Sequence, residues 1–123
     1  MKALILNASE DTPEIIFNPG ENVFKVSKIS VPENALEFYE TVLDWLKEYL
    51  QSPNKQNVFE FDLEYVNTAS SKQLIQVILS IQKLSEVSDT SIKWYYESID
   101  EDMFALGRRF QKLVNVNFEL IEV

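Results

Sequence analysis

From Val58 to Tyr65 the chain alternates: Phe59, Phe61, Leu63 and Tyr65 are apolar, and Glu60, Asp62 and Glu64 between them are acidic. A period of two puts successive side chains on opposite faces of a β-strand, so this segment predicts a sheet with one apolar and one acidic face. Leu74, Val77, Ile78, Ile81 and Leu84 then recur at three and four residues, the spacing of one helical face, and Ser91-Ile92-Lys93-Trp94-Tyr95-Tyr96 returns to alternation. These three segments make a βαβ unit. Upstream, Glu14–Phe17 and Val23–Val26 are short β-prone runs around Asn18-Pro19-Gly20-Glu21-Asn22, whose residues suit a turn, and they predict a hairpin. Leu36, Tyr39, Val42, Leu43, Leu46 and Leu50, widened by Trp45 and Tyr49, predict a broad-faced helix that ends at Ser52-Pro53-Asn54. Met103, Leu106, Phe110 and Leu113 predict a third helix, and Val116 to Val123 a closing strand with Phe118 and Leu120 on one side.

The order ββαβαβαβ describes a single α/β domain over residues 1–123, with 1–11 loose or peripheral. Strands joined through helices become parallel neighbours and the hairpin adds an antiparallel pair, so the sheet is expected to be mixed. Because the Val58–Tyr65 strand is acidic on one face, the helices are expected mainly on the other. Lys93 is placed to sit across from the acidic row. Ser30-Val31-Pro32-Glu33 and Ser98-Ile99-Asp100-Glu101 both have the spacing of a capping box, which predicts helix starts at Ser30 and Ser98.

Composition narrows the chemistry. The chain of 123 residues is 46% hydrophobic, enough for one domain with its own core. Twenty acidic residues against 11 basic ones give a net charge of −9, which disfavours nucleic acid and anionic membrane surfaces as partners. No stretch approaches the roughly 20 apolar residues of a spanning helix, so no membrane insertion is expected. The opening Met1–Asn7 carries one basic residue and a short apolar run, which does not read as a secretory signal, and a cytoplasmic location is expected. Without cysteine or histidine there is no thiol nucleophile, no thiolate site and no imidazole for acid–base work or metal binding. No cofactor is implied, and a binding or regulatory domain is expected in place of an enzyme.

The chemically richest junction is Tyr65-Val66-Asn67-Thr68-Ala69-Ser70-Ser71-Lys72, where a strand's carboxyl end meets a helix start crowded with hydroxyls. Two readings fit it. Such side chains cap unpaired backbone N–H groups, contributing about 1 kcal/mol. The same helix N-terminus also favours a phosphate, which adds roughly two negative charges, with Lys72 close by. On spacing alone the capping reading leads. Pro32-Glu33-Asn34 reads first as a helix start and second as a contact surface. Asp100-Glu101-Asp102 are adjacent carboxylates that do not face together on a helix and that complement its N-terminus, so no metal is assigned. Trp94 reads as core. Tyr95 points the opposite way along the strand and is the better candidate for an exposed contact. Arg108-Arg109 reads as a solvated helix face.

Several of these segments together resemble the SiaC family of bacterial regulatory phosphoproteins. The resemblance rests on Thr12-Pro13-Glu14-Ile15, Pro32-Glu33-Asn34-Ala35 leading into Phe38-Tyr39 and Trp45-Leu46, Leu63 through Lys72, Trp94-Tyr95-Tyr96, and Asp100-Glu101-Asp102-Met103 with Gly107. It covers about residues 12 to 121. The chain departs from the family pattern at Ala69, where a serine is usual, and around Gly107, where Ala105, Leu106, Arg108 and Arg109 replace acidic residues.

The resemblance implies the fold of the anti-sigma-factor antagonists (SpoIIAA/STAS-like) and a partner-switching role. A cognate protein kinase would phosphorylate Thr68, a metal-dependent phosphatase would restore the free form, and the free form would engage a target signalling protein. In the best-known branch that target is a diguanylate cyclase, which links the switch to cyclic di-GMP and biofilm formation. Asn67, Ser70, Ser71 and Lys72 would form the surroundings of the phosphosite, and Pro32, Glu33, Asn34, Tyr95, Asp100, Glu101 and Asp102 are candidate partner contacts. The competing reading is a small-ligand-binding or structural α/β domain in which Thr68 only caps its helix. A carboxylate-dependent enzyme ranks last, because the acidic rows fall on solvent faces.

Overall fold

The computed structural model describes every residue from Met1 to Val123. Its elements are β1 (Leu4–Leu6), β2 (Glu14–Asn18), β3 (Val23–Ser30), α1 (Ala35–Tyr49), β4 (Gln56–Val66), α2 (Thr68–Ser85), β5 (Asp89–Tyr96), α3 (Glu101–Leu113) and β6 (Asn117–Glu122). The six strands lie side by side in chain order. β1, β2 and β3 are antiparallel, and β3, β4, β5 and β6 are parallel. The expected ββαβαβαβ order is present in a mixed sheet, with β1 added at the edge. That strand lies inside the segment expected to be loose, which is also held by Trp45 Nε1 donating to the Lys2 carbonyl at 2.9 Å.

Three crossovers that step the same way across a sheet, each right-handed, must pass over the same face. The burial pattern agrees: Ile15, Phe17, Phe24, Val26, Phe59, Phe61, Leu63, Ile92, Trp94 and Phe118 point into one core with the apolar stripes of all three helices. The other face carries the polar half of each strand. Its middle row reads Lys25, Glu60, Lys93, Glu119 in register across β3 to β6, so charges alternate and Lys93 stands opposite Glu60 as expected. A parallel sheet usually needs cover on both faces, and this alternation makes an uncovered face tolerable in water.

Both predicted capping boxes lie too early. β3 runs on to Ser30, which pairs with Val66, and Ser30 is fully buried. The cap of α1 is Asn34, whose Oδ1 accepts from Glu37 N at 3.0 Å, and the cap of α3 is Asp100, whose Oδ1 accepts from Met103 N at 3.0 Å. Sheet pairing and a buried hydroxyl network claim Ser30 before a helix can.

Three positions assigned to apolar stripes are exposed: Leu36 (66%), Tyr65 (58%) and Leu113 (60%). For Tyr65 the cause is a register shift. Lys28 pairs with Leu63 but Ile29 pairs with Tyr65, and Lys28 takes a left-handed φ of 79°. The extra residue on β4 inverts the alternation, so Tyr65 turns outward and Val66 packs on the core. Gly107 allows α3 to approach the sheet closely: a Cβ there would stand 2.5 Å from Trp94 Nε1 and 2.8 Å from Leu120 Cδ2.

Candidate functional site

The carboxyl ends of β3, β4 and β5 lead into the N-termini of α1, α2 and α3, so three helix starts gather at one end of the sheet. The middle one is α2. Its cap is Asn67, with extended backbone and a side-chain oxygen that accepts from Ser70 N at 2.8 Å. Asn67 also donates its backbone N–H to the Ser30 carbonyl and accepts from Ser71 N. Thr68 is therefore the first residue inside the helix and not its cap. The capping reading of this junction belongs to Asn67.

Of the three hydroxyl residues that follow, Thr68 alone is exposed. Ser70 is fully buried, 2.9 Å from Ser30 Oγ, which in turn lies 2.6 Å from Tyr39 OH. This chain of three buried hydroxyls ties α2's first turn to the end of β3 and to α1. Burial pushes the Tyr39 phenol up to about 12, against a smaller opposing effect of its bond to Ser30, so it stays neutral and free to share a proton in the network. Ser70 therefore anchors the helix and has no path to a phosphate outside. Ser71 is half-buried and its hydroxyl donates to the Thr68 carbonyl at 2.8 Å.

Thr68 stands on a ridge between two concavities. One, toward α1, is walled by Glu33, Asn34, Leu36, Glu37 and Lys72. The other, toward α3, is walled by Glu64, Tyr65, Ser71, Asp100, Asp102 and Arg109. Five carboxylates and two cations thus rim the threonine, while exposed Leu36 and Tyr65 supply apolar area. Acidic groups outnumber basic ones, so a phosphate added here would deepen a negative surface.

Glu33, Asn34, Asp100 and Asp102 are thus brought to the walls beside Thr68, together with Asn67, Ser71 and Lys72. Pro32, expected as a partner contact, is buried and does not offer that surface. Glu101 is exposed on the first turn of α3. Tyr95 lies elsewhere, on the open sheet face, with its OH donating to Glu60 at 2.9 Å. Its phenol is pushed up to about 12, first by desolvation, then by the Glu60 hydrogen bond and the charges of Glu60, Asp62 and Glu119. Sequence reasoning missed Ser30 and Tyr39 as supports, and missed Arg109 as a wall residue. Nothing in their spacing marks them, since the contacts cross between elements. No three carboxylates converge on a common point that would hold a metal ion. No helix is long and apolar enough to cross a membrane.

Comparison with known proteins bears on the fold and the family. The chain is 23% identical over 113 residues to an uncharacterised protein of Pseudomonas aeruginosa strain UCBPP-PA14, covering 91% of this chain and 90% of that one. The structure of SiaC of Pseudomonas aeruginosa superposes with a TM-score of 0.87 at 22% identity, over 100% of both chains. SiaC in the crystal structure of the diguanylate cyclase SiaD in complex with its activator SiaC, from the same organism, gives 0.87 at 22% identity, over 98% of this chain and 99% of that one. At such identity these likenesses establish the fold. Family membership rests on the sequence: residues 6–123 match the SiaC family of regulatory phosphoproteins, a family of regulators and not of catalysts, and this chain belongs to it.

Proposed function

We propose that this protein is a non-catalytic cytoplasmic switch whose state is set by reversible phosphorylation of Thr68, and whose free form binds and regulates a diguanylate cyclase. The observation that carries the reading is the exposure of Thr68 one residue inside a helix that Asn67 already caps, on a ridge between two concavities. Its hydroxyl has no structural duty there, and a β-branched residue is not a favoured choice for an exposed helix position. Membership in a family of regulatory phosphoproteins, and the SiaD–SiaC complex of a structural relative, support the same role.

Charge supplies the mechanism. A neutral hydroxyl is buried in an interface at modest cost, whereas a phosphate must be desolvated and given cationic partners. Lys72 and Arg109 flank the site, but five carboxylates surround it, so the phosphorylated ridge rejects any partner lacking its own cations. The buried Ser70–Ser30–Tyr39 chain holds the ridge in place, so the switch needs no change of fold. A cognate kinase would install the phosphate and a metal-dependent phosphatase remove it, coupling the protein to cyclic di-GMP output and biofilm formation.

Intact-protein mass spectrometry of the chain from its native cells, with fragment mapping, is the direct test. One phosphate on Thr68, absent from Thr68→Ala, together with cyclase capture and stimulation by the unphosphorylated form alone, is the expected result. A Thr68 that stays unmodified in the presence of active kinase, or a cyclase that binds both forms equally, would overturn the reading.

A further inference from the structure

The exposed side of α3 is cationic in an acidic chain. Between Met103 and Phe118 the chain carries three cations and no carboxylate, although its net charge is −9. Residues four apart on a helix lie on one line. Phe104, Arg108 and Lys112 form one such line and Ala105, Arg109 and Leu113 the next, all six exposed, and together they wall a shallow groove. The opposite side of the same helix, Met103, Leu106, Gly107 and Phe110, is buried against the sheet. Lys112 in the last turn complements the helix dipole. That does not account for two mid-helix arginines beside an exposed phenylalanine and leucine. Arg108 Nη1 donates to Gln111 Oε1 at 2.6 Å, which holds one guanidinium along the groove.

We propose that this face of α3 is the docking surface for an acidic amphipathic segment of the target protein. The commitment to an acidic occupant rests on charge complementarity, and the apolar residues at both ends of the groove call for apolar side chains on the same segment. Three cations in a chain this acidic are too few for nucleic acid or a lipid surface. The surface is continuous with the ridge, because Arg109 walls both the α3 groove and the concavity that Thr68 lines. This deepens the preceding reading and rests on it for one step: a phosphate on Thr68 competes for Arg109 and repels the carboxylates of the docked segment. An acidic partner is thereby excluded by phosphorylation, whereas a basic partner would be attracted by it.

The test uses the full chain, isotopically labelled for NMR. It is titrated with a synthetic helical peptide presenting Glu on one face and Leu on the other, and with its Lys-for-Glu counterpart. The Glu peptide is expected to shift amides from Phe104 to Leu113, the Lys peptide to leave them in place, and the Arg108→Glu/Lys112→Glu pair to weaken binding about tenfold or more. The milder Arg108→Gln/Lys112→Gln pair gives a smaller loss in the same direction and guards against misfolding of the reversal. Equal binding of the two peptides, shifts confined to other faces, or no effect of either pair overturns the proposal. So does self-association, read by sedimentation and abolished by the reversal, since a second copy would then be the occupant. If the Glu peptide depends on α3 but binds equally with and without phosphate on Thr68, the docking surface stands and its electrostatic link to the switch falls. If α3 substitutions have no effect while phosphorylation still blocks the cyclase, the switch stands and the docking surface falls.

Discussion

Alanine substitution at Ser70 and at Thr68, two residues apart on one turn, separates the support of the ridge from its candidate phosphosite. Ser70→Ala deletes a buried hydroxyl 2.9 Å from Ser30 Oγ. The net loss of one such bond is about 1 kcal/mol. Ser30 is the donor in that bond, so its O–H loses its acceptor; if it turns to Tyr39 OH at 2.6 Å the phenol's own hydrogen is freed instead, and one buried O–H is left unpaired. With that unpaired hydroxyl and the small void left by the missing oxygen, the expected destabilisation is about 1–3 kcal/mol, or roughly 3–12 °C in Tm for a domain of this size. Thr68→Ala removes an exposed side chain at a position that Asn67 already caps, and its effect should stay within about 0.5 kcal/mol. The two variants and the parent are melted by circular dichroism and, in parallel, incubated with the cognate kinase and weighed intact. Ser70→Ala should lose stability and keep its phosphate. Thr68→Ala should keep its stability and lose the phosphate. A Ser70→Ala protein that melts with the parent yet fails to accept phosphate would refute the hydroxyl chain and make Ser70 part of the modified surface.

Other expectations follow from the same geometry. Gly107→Ala should destabilise the protein by about 2 kcal/mol despite the better helix propensity of alanine, because overpacking against Trp94 outweighs it. A red shift of tryptophan fluorescence should accompany the loss as Trp94 Nε1 leaves the Met103 carbonyl, and a more stable variant would contradict the packing. Asn34→Ala should cost about 1 kcal/mol in urea denaturation and Glu33→Ala less than about 0.5, since Asn34 is the α1 cap. Alkaline stability should fall between pH 10 and about 12, because the unfolded Tyr39 phenol ionises at 10.0 while the folded one holds its proton to about 12. Its contribution, present in full below pH 10, amounts to about 2–3 kcal/mol. Urea midpoints across that range check it, and Tyr39→Phe should flatten the slope.

The period-two run of β4 and the helical stripe of α2 were legible because both depend on one face meeting one core, a property written locally in the order of apolar and polar residues. So was the placement of helices on one face, which follows from the acidic half of β4 and the common hand of the crossovers. Thr68 stood out through its position at a strand-to-helix junction within segments that resemble a known family. Contacts between distant segments were not legible. Ser30 looked like a cap because serine accepts from backbone N–H groups wherever it stands, but pairing with β4 and the hydroxyls of Tyr39 and Ser70, nine and forty residues away, drew it into the core. Tyr65 was assigned inward until a register shift inverted its alternation, and such a shift arises from the fit of β3 on β4, with no mark on either strand alone. Arg109 reads as a solvated residue because its membership of the Thr68 wall depends on how closely α3 settles on the sheet. That closeness comes from Gly107 against Trp94, a match of shapes between a helix and a strand that no local pattern encodes.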